Sequence, residues 1–168
     1  MNDGFLIIDQ GATADEIADF FCAHANPDYI SHAELQNGRA IAPGQWNLDL
    51  RQVIVEQVMT VLAQADTETS KDKIVCAHFD GRLVAVAFLS FGGFRSKKFG
   101  VLDDIIVDPV ARGKRVGTQL LEWIIRYMKT EGATRLYLES GVANHKAHDF
   151  FEHQGFEQTS IVMMRDLL

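Results

Sequence analysis

The stretch VDPVARGKRVGTQLL, residues 107–121, decides how the rest of the chain is read. It leaves a β-rich run and enters a helical pattern, with Arg112, Gly113, Lys114, Arg115 and Gly117 in the turn between them. A helix start presents backbone N–H groups without intrahelical partners, together with the positive end of the helix dipole. Glycines at 113 and 117 let those amides close around an anion, and the three cations add charge. The combination suits phosphate, and a diphosphate best, because two adjacent anions engage several amides at once. The same residues also describe a solvated basic loop, and the turn alone does not separate the two. Neither G-x-x-x-x-G-K-[ST] nor G-x-G-x-x-G occurs here, which excludes two familiar phosphate loops.

The turn is basic in a chain that is not. Formal net charge is −7 over 168 residues, which argues against a nucleic-acid binder or an anionic-membrane binder. With 47% hydrophobic residues the chain can bury a core unaided. Cys22 and Cys76 show neither C-x-x-C nor metal-ligand spacing and read as reduced thiols. The N-terminal apolar run is too short for a signal peptide, and nothing approaches the ~20 residues of a membrane span. A cytoplasmic protein is expected, with no metal.

Outward from the turn, periodicity gives the elements. Residues 5–8 and 73–79 read as strands, and Asp80-Gly81 joins 73–79 to 82–91 as a type I′ hairpin. Residues 99–108 form another strand, with Asp103 and Asp104 in its middle. Helices are expected near 13–25, with Thr13 and Glu16 as a capping box, and at 48–65, with Val55, Val58, Met59 and Leu62 on its apolar face. A third covers 116–130, with Val116, Leu120, Leu121, Ile124 and Met128 inward, and a fourth 145–154, closed by Gly155. Residues 133–140 and 156–167 read as strands, 66–73 and 92–98 as polar loops, and 27–47 as irregular, with a helical turn near Ala33–Leu35. The sum is one α/β (α+β type) domain over 1–168, with a mixed central sheet of about six to seven strands and about four helices.

The stretch resembles the GNAT superfamily of acyl-CoA-dependent N-acyltransferases. That family's cofactor motif is a strand ending in V-x-P, then [QR]-x-x-G-x-[GA] opening a helix. Here Val107-Asp108-Pro109 is followed by Arg112-Gly113-Lys114-Arg115-Val116-Gly117, with Arg115 where glycine is usual. A second pattern, N-x-x-A-x-x-x-Y-x-x-x-G-F, is matched by Asn144, Ala147, Phe151, Gly155 and Phe156, with Phe151 in place of tyrosine. The resemblance spans residues 99–157 and implies acetyl-CoA as cosubstrate. Its diphosphate would lie on Arg112, Gly113, Lys114, Arg115, Val116, Gly117 and Thr118. Its pantetheine arm would lie along Ile105, Ile106 and Val107, with Asn144 and Phe151 also on the cofactor side. The resemblance further implies that the strand bulges away from its neighbour over Asp104 to Val107 and frees a backbone N–H, placed at Ile105–Val107, to receive the thioester oxygen.

Acetyl transfer to an amine needs a base, because a lysine-like amine (pKa ~10.4) is charged at neutral pH. Two adjacent acids are poor strand formers, which singles out the pair at 103–104. VLDDIIV is similar to the L-E-D-F/L-x-V pattern of polyamine and diamine acetyltransferases and puts Asp103 in the amine-recognising position. Alternation sets Asp103 with Ile105 and Val107, and Asp104 opposite, unless a bulge resets it. Glu139, five residues before Asn144, is the second candidate base, as in family members that acetylate protein N-termini. Phe151 offers no proton to the leaving thiolate; His145, His148, Tyr137 and Ser140 are near it in sequence. The acceptor side is assigned to 27–47, where Tyr29, Glu34 and Trp46 either line a cation site or pack. The expected partner is a small primary amine; homodimers are common in the family. A CoA-binding module without catalysis is the alternative that Phe151 suggests.

Overall fold

The computed structural model describes residues 6–65, 72–94, 97–111 and 113–167. Phe5, residues 66–71 of one expected loop, Arg95 and Ser96 of the other, and Arg112 lie outside the described residues. The chain divides into two compact units. One runs up to Ala25 and resumes over Leu48–Glu139; the other takes Asn26–Asn47 and the chain from Ser140 onward.

The first unit is a sheet with helices against it. Its strands are β1 (Leu6–Asp9), β4 (Lys73–Phe79), β5 (Arg82–Phe94), β6 (Lys97–Val107) and β7 (Leu136–Leu138). They lie in the order β1-β4-β5-β6-β7, antiparallel except for the parallel pair β6–β7. The β4–β5 hairpin turns on Asp80 (φ 51°) and Gly81 (φ 75°), the two left-handed residues that a type I′ turn demands. Three helices belong here: α1 (Ala14–His24), α3 (Leu50–Ala65) and α4 (Val116–Thr130). Thr13 caps α1: its Oγ1 accepts the Glu16 amide at 3.2 Å while Glu16 Oε2 accepts the Thr13 amide at 2.8 Å. All five apolar residues expected to face inward from α4 are buried. Burial of each stabilises by about 1.5–3 kcal/mol, so this helix is pinned by its packed face. It packs on β5 and β6, and Gly100 makes room: a Cβ there would lie 2.3 Å from Met128 Sδ.

The second unit contains α2 (His32–Gln36), the two-stranded sheet of β2 (Ala40–Ala42) and β3 (Gln45–Trp46), and α5 (His145–His153). Gly141 sits hard against the backbone here; a Cβ would fall 2.4 Å from the Asp28 carbonyl oxygen and 2.6 Å from that of Ile30.

Four expectations need correction. Residues 92–98 are not a loop throughout: Gly92–Phe94 extend β5 and Lys97–Lys98 begin β6, with Gly93↔Lys98 and Phe94↔Lys97 paired. Residues 27–47 are not irregular: a 3₁₀ turn at Pro27–Tyr29, α2 and the β2–β3 hairpin occupy most of them, with Gly44 (φ 75°) at the hairpin turn. The buried face of α3 is Leu50, Ile54 and Val58, while Met59 and Leu62 are exposed; Val55 and Met59 lie to one side of a stripe spaced by four residues. The expected strand over 156–167 does not form. A strand exists only through a ladder partner, and among the described residues this segment has none, so the main sheet has five strands. Ile161, Met163 and Leu167 are about nine-tenths exposed.

Candidate active site

β6 departs from a regular strand beside the basic turn. Its pairing with β5 shifts between Phe88↔Asp104 and Leu89↔Leu102, which leaves Asp103 as the extra, bulged residue. Asp103 is exposed, whereas Asp104 is 2% exposed. Beyond them Ile105 and Val107 are half-buried and Ile106 is buried, so 103, 105 and 107 are each more open than the residues between them.

On the other edge of β6, Gly100↔Leu136, Val101↔Tyr137 and Leu102↔Leu138 are paired, and there β7 stops. β6 continues to Val107. Along 103–107 it therefore has β5 on one side and, among the described residues, no strand on the other. Such an edge offers main-chain N–H and C=O groups to an extended ligand. Glu139 is the first residue after β7, as Asp103 is the residue of β6 after the last pair, and both are exposed. Just before that level the Phe99 and Tyr137 rings meet at 5.6 Å and 88°. The sequence reading gave Tyr137 only a place near Phe151 and passed over Phe99; their ring contact depends on β6–β7 register, which spacing does not reveal.

After Val107 the chain bends through Asp108 and a 3₁₀ turn, Pro109–Ala111, into the basic turn. Gly113 has φ 81°, and Arg115, the residue before α4, has φ 58° and ψ 19°. Arg115 thus takes the left-handed conformation that the usual glycine would take, at a cost of roughly 1 kcal/mol. Its side chain makes no capping hydrogen bond. The opening amides of α4 are thus left without this cap, beside Gly113, Lys114 and Arg115, all exposed. Lys114 rests its Nζ 4.7 Å over the Phe79 ring. An uncapped helix start with a positive turn fits a diphosphate, and the open β6 edge fits an amide-bearing arm.

Asp108 was overlooked, because V-x-P leaves its middle position unspecified. It is 2% exposed. Its Oδ1 accepts the Val110 amide at 2.8 Å and its Oδ2 accepts from Arg82 Nη2. The Val110 amide, and then the Arg82 guanidinium, hold this carboxyl below the usual range against the opposing effect of burial.

In the second unit Asn144 is the N-cap residue of α5, without a side-chain cap bond. Phe151 is buried, its ring 5.3 Å from Phe150 and 5.6 Å from Phe156, and it has no hydroxyl to give. His148 Nε2 lies 3.0 Å from the Gly141 carbonyl oxygen. Glu34 is 3% exposed; its Oε2 accepts from the Ser31 amide and hydroxyl at 2.8 and 2.7 Å, and Arg39 stands 3.8 Å from its other oxygen. Its carboxylate is therefore built into the start of α2. Tyr29 and Trp46 face one another at 6.3 Å. Among the described residues no group of three His, Cys, Asp or Glu side chains is placed to hold a metal ion.

This arrangement of a bulged strand, a short parallel neighbour that ends before it and a basic turn opening a helix has a family. The Acetyltransferase (GNAT) family model matches residues 43–156, and the chain belongs to that family. It is 29% identical over 133 residues to an uncharacterized N-acetyltransferase, YhfO, of Bacillus subtilis, covering 77% of this chain and 89% of that one. Its fold is similar to that of an aminoglycoside N-acetyltransferase solved in complex with CoA (TM-score 0.64, 18% identity, 99% and 98% of the two chains). It is also similar to that of glucosamine-6-phosphate N-acetyltransferase from Arabidopsis thaliana (TM-score 0.63, 16% identity, 97% and 99%). Members of this family bind CoA and an acceptor. No helix among the described residues is long and apolar enough to cross a membrane.

Proposed function

We propose that this chain moves an acetyl group from acetyl-CoA directly to the primary amine of a small molecule. The observation that carries the reading is the open β6 edge, Asp103–Val107, leading into the turn at Gly113–Gly117. The pantetheine arm lies along Ile105, Ile106 and Val107, with a backbone N–H near Ile105 aimed at the thioester oxygen. The diphosphate takes the amides of Gly113 and of Arg115 to Thr118, with Arg112, Lys114 and Arg115 adding charge. Asp103, exposed on the bulge, recognises the ammonium and draws off its proton, and Asp104 supports the acceptor end. The thiolate leaves unassisted or takes a proton from water; a thiol pKa of ~8.5 makes it a tolerable leaving group. Tyr29 and residues 27–47 are assigned to the acceptor side, within one catalytic domain over 1–168 and a cytoplasmic setting. Glu34 is less suited to ligand contact than its neighbours, given its role at the start of α2.

Release of free CoA thiol from acetyl-CoA tests the reading, with polyamines, aminoglycosides, amino acids and peptides as acceptors. Turnover with a small amine supports it. Cofactor binding without turnover on any acceptor favours instead a CoA-binding module, the reading supported by Phe151. Turnover on peptide N-termini alone points to Glu139 as base.

A homodimer is part of the proposal. Its support is the exposed apolar run Ile161–Met164 with Leu167, which a second copy would cover. Light scattering at tens of micromolar should return twice the 18.8 kDa chain mass.

A further inference from the structure

We propose that Asp108 is a positioning residue that mounts the basic turn on the β4–β5 hairpin and so presets the amides of residues 113–118. The inference rests on the reading of that turn as the CoA diphosphate site.

The contacts form a chain from hairpin to turn. Arg82, the first residue of β5, donates to the Asp108 carboxylate, and the Asp108 amide donates to the Val84 carbonyl at 2.9 Å. The other carboxylate oxygen takes the Val110 amide. The Asp108 carbonyl accepts the Ala111 amide at 2.9 Å, and the Ala111 carbonyl accepts the Lys114 amide at 3.2 Å. Lys114 returns to the hairpin through the Phe79 ring. The 3₁₀ turn after Val107 is thus tied to β4–β5 at Asp108, by its main chain through Val84 and by its buried carboxylate through Arg82. A buried carboxylate in a bend is retained at a desolvation cost unless it is fully bonded, and here both oxygens are engaged. The two αL residues, Gly113 and Arg115, follow directly, so the clamp holds the chain where its conformation is least favourable. A preset turn binds a diphosphate without ordering itself first, and affinity for the cofactor is the quantity such a clamp raises.

The test uses Arg82→Gln, Arg82→Lys, Asp108→Asn and the Gln/Asn double variant, measured by steady-state kinetics and by amide hydrogen exchange at Ala111 and Lys114. Arg82 is 66% exposed in its side chain, so its variants keep the core intact even where Asp108→Asn does not fold. The expected result is a KM for acetyl-CoA raised about tenfold in Arg82→Gln and in Asp108→Asn. kcat and the amine KM stay within about twofold, Arg82→Lys recovers most of the loss, and the double variant is no worse than Arg82→Gln. Exchange at 111 and 114 quickens about tenfold without any ligand. Unchanged KM and exchange in Arg82→Gln overturn the proposal, as does a fall in kcat that accompanies equal rises in both KM values. Should the wild type not bind acetyl-CoA, the functional reading fails; unchanged exchange in Arg82→Gln would then remove the clamp as well, and quickened exchange would retain it.

Discussion

Leu102 of β6 pairs with Leu138 of β7, and the parallel ladder ends at that pair. One step further, Asp103 on β6 and Glu139 just after β7 each follow that last pair. Both candidate bases thus stand just beyond the end of the same ladder, and substitution separates them. Asp103→Asn should lower kcat by about 10²-fold, the lower end of the range for a lost general base. Glu139→Gln should lower it by less than about tenfold. Steady-state rates with a small amine acceptor check both, and the reverse ranking would move the base to Glu139.

Arg115 holds φ 58° without a side-chain cap. Arg115→Gly should leave stability unchanged or raise it by up to about 1 kcal/mol, since glycine accepts that conformation freely. Arg115→Val should cost about 1–2 kcal/mol. Denaturant unfolding of the two variants beside the wild type measures the difference. Equal stabilities would mean that the turn relaxes when its residue changes.

Asp108 has a pH signature. Its folded carboxyl lies below its unfolded value, so its contribution to stability is fully present above the ordinary carboxylate pKa of ~3.9. That contribution is lost as pH falls through the lower, folded value. Stability measured from pH 6 down into the acid limb should therefore fall less steeply in Asp108→Asn than in the wild type. Superimposable slopes would show that the Val110 and Arg82 contacts do not hold the charge.

Gly141 is packed against two carbonyl oxygens that belong to backbone and cannot swing aside. Gly141→Ala should cost about 2–3 kcal/mol, the upper range for overpacking. For a chain of this size that corresponds to a midpoint roughly 5–10 °C lower. Calorimetry checks it; an unchanged midpoint would place slack in the 28–30 segment.

What the sequence revealed was local. Val116 to Met128 repeat at helical spacing and bury as a face, and Asp80-Gly81 makes its hairpin, because each pattern is contained within a dozen residues. The bulge was misplaced: the resemblance put it over Asp104 to Val107, whereas the shift from Phe88↔Asp104 to Leu89↔Leu102 makes Asp103 the extra residue, which only the pairing register reveals. Asp108 was illegible, since its partner Arg82 lies 26 positions away and gives no pattern. Residues 156–167 have strand composition, yet a strand is decided by a partner that composition does not supply. Pro43-Gly44 did announce a turn, and the β2–β3 hairpin could have been read from it had the short flanking runs been long enough to show alternation.

A crystal structure with acetyl-CoA bound tests the central claim most directly. The account predicts diphosphate oxygens within hydrogen-bond distance of amides among Gly113 and Arg115 to Thr118, and the pantetheine arm alongside Ile105–Val107. A diphosphate bound elsewhere, or an arm that leaves the β6 edge untouched, would contradict it.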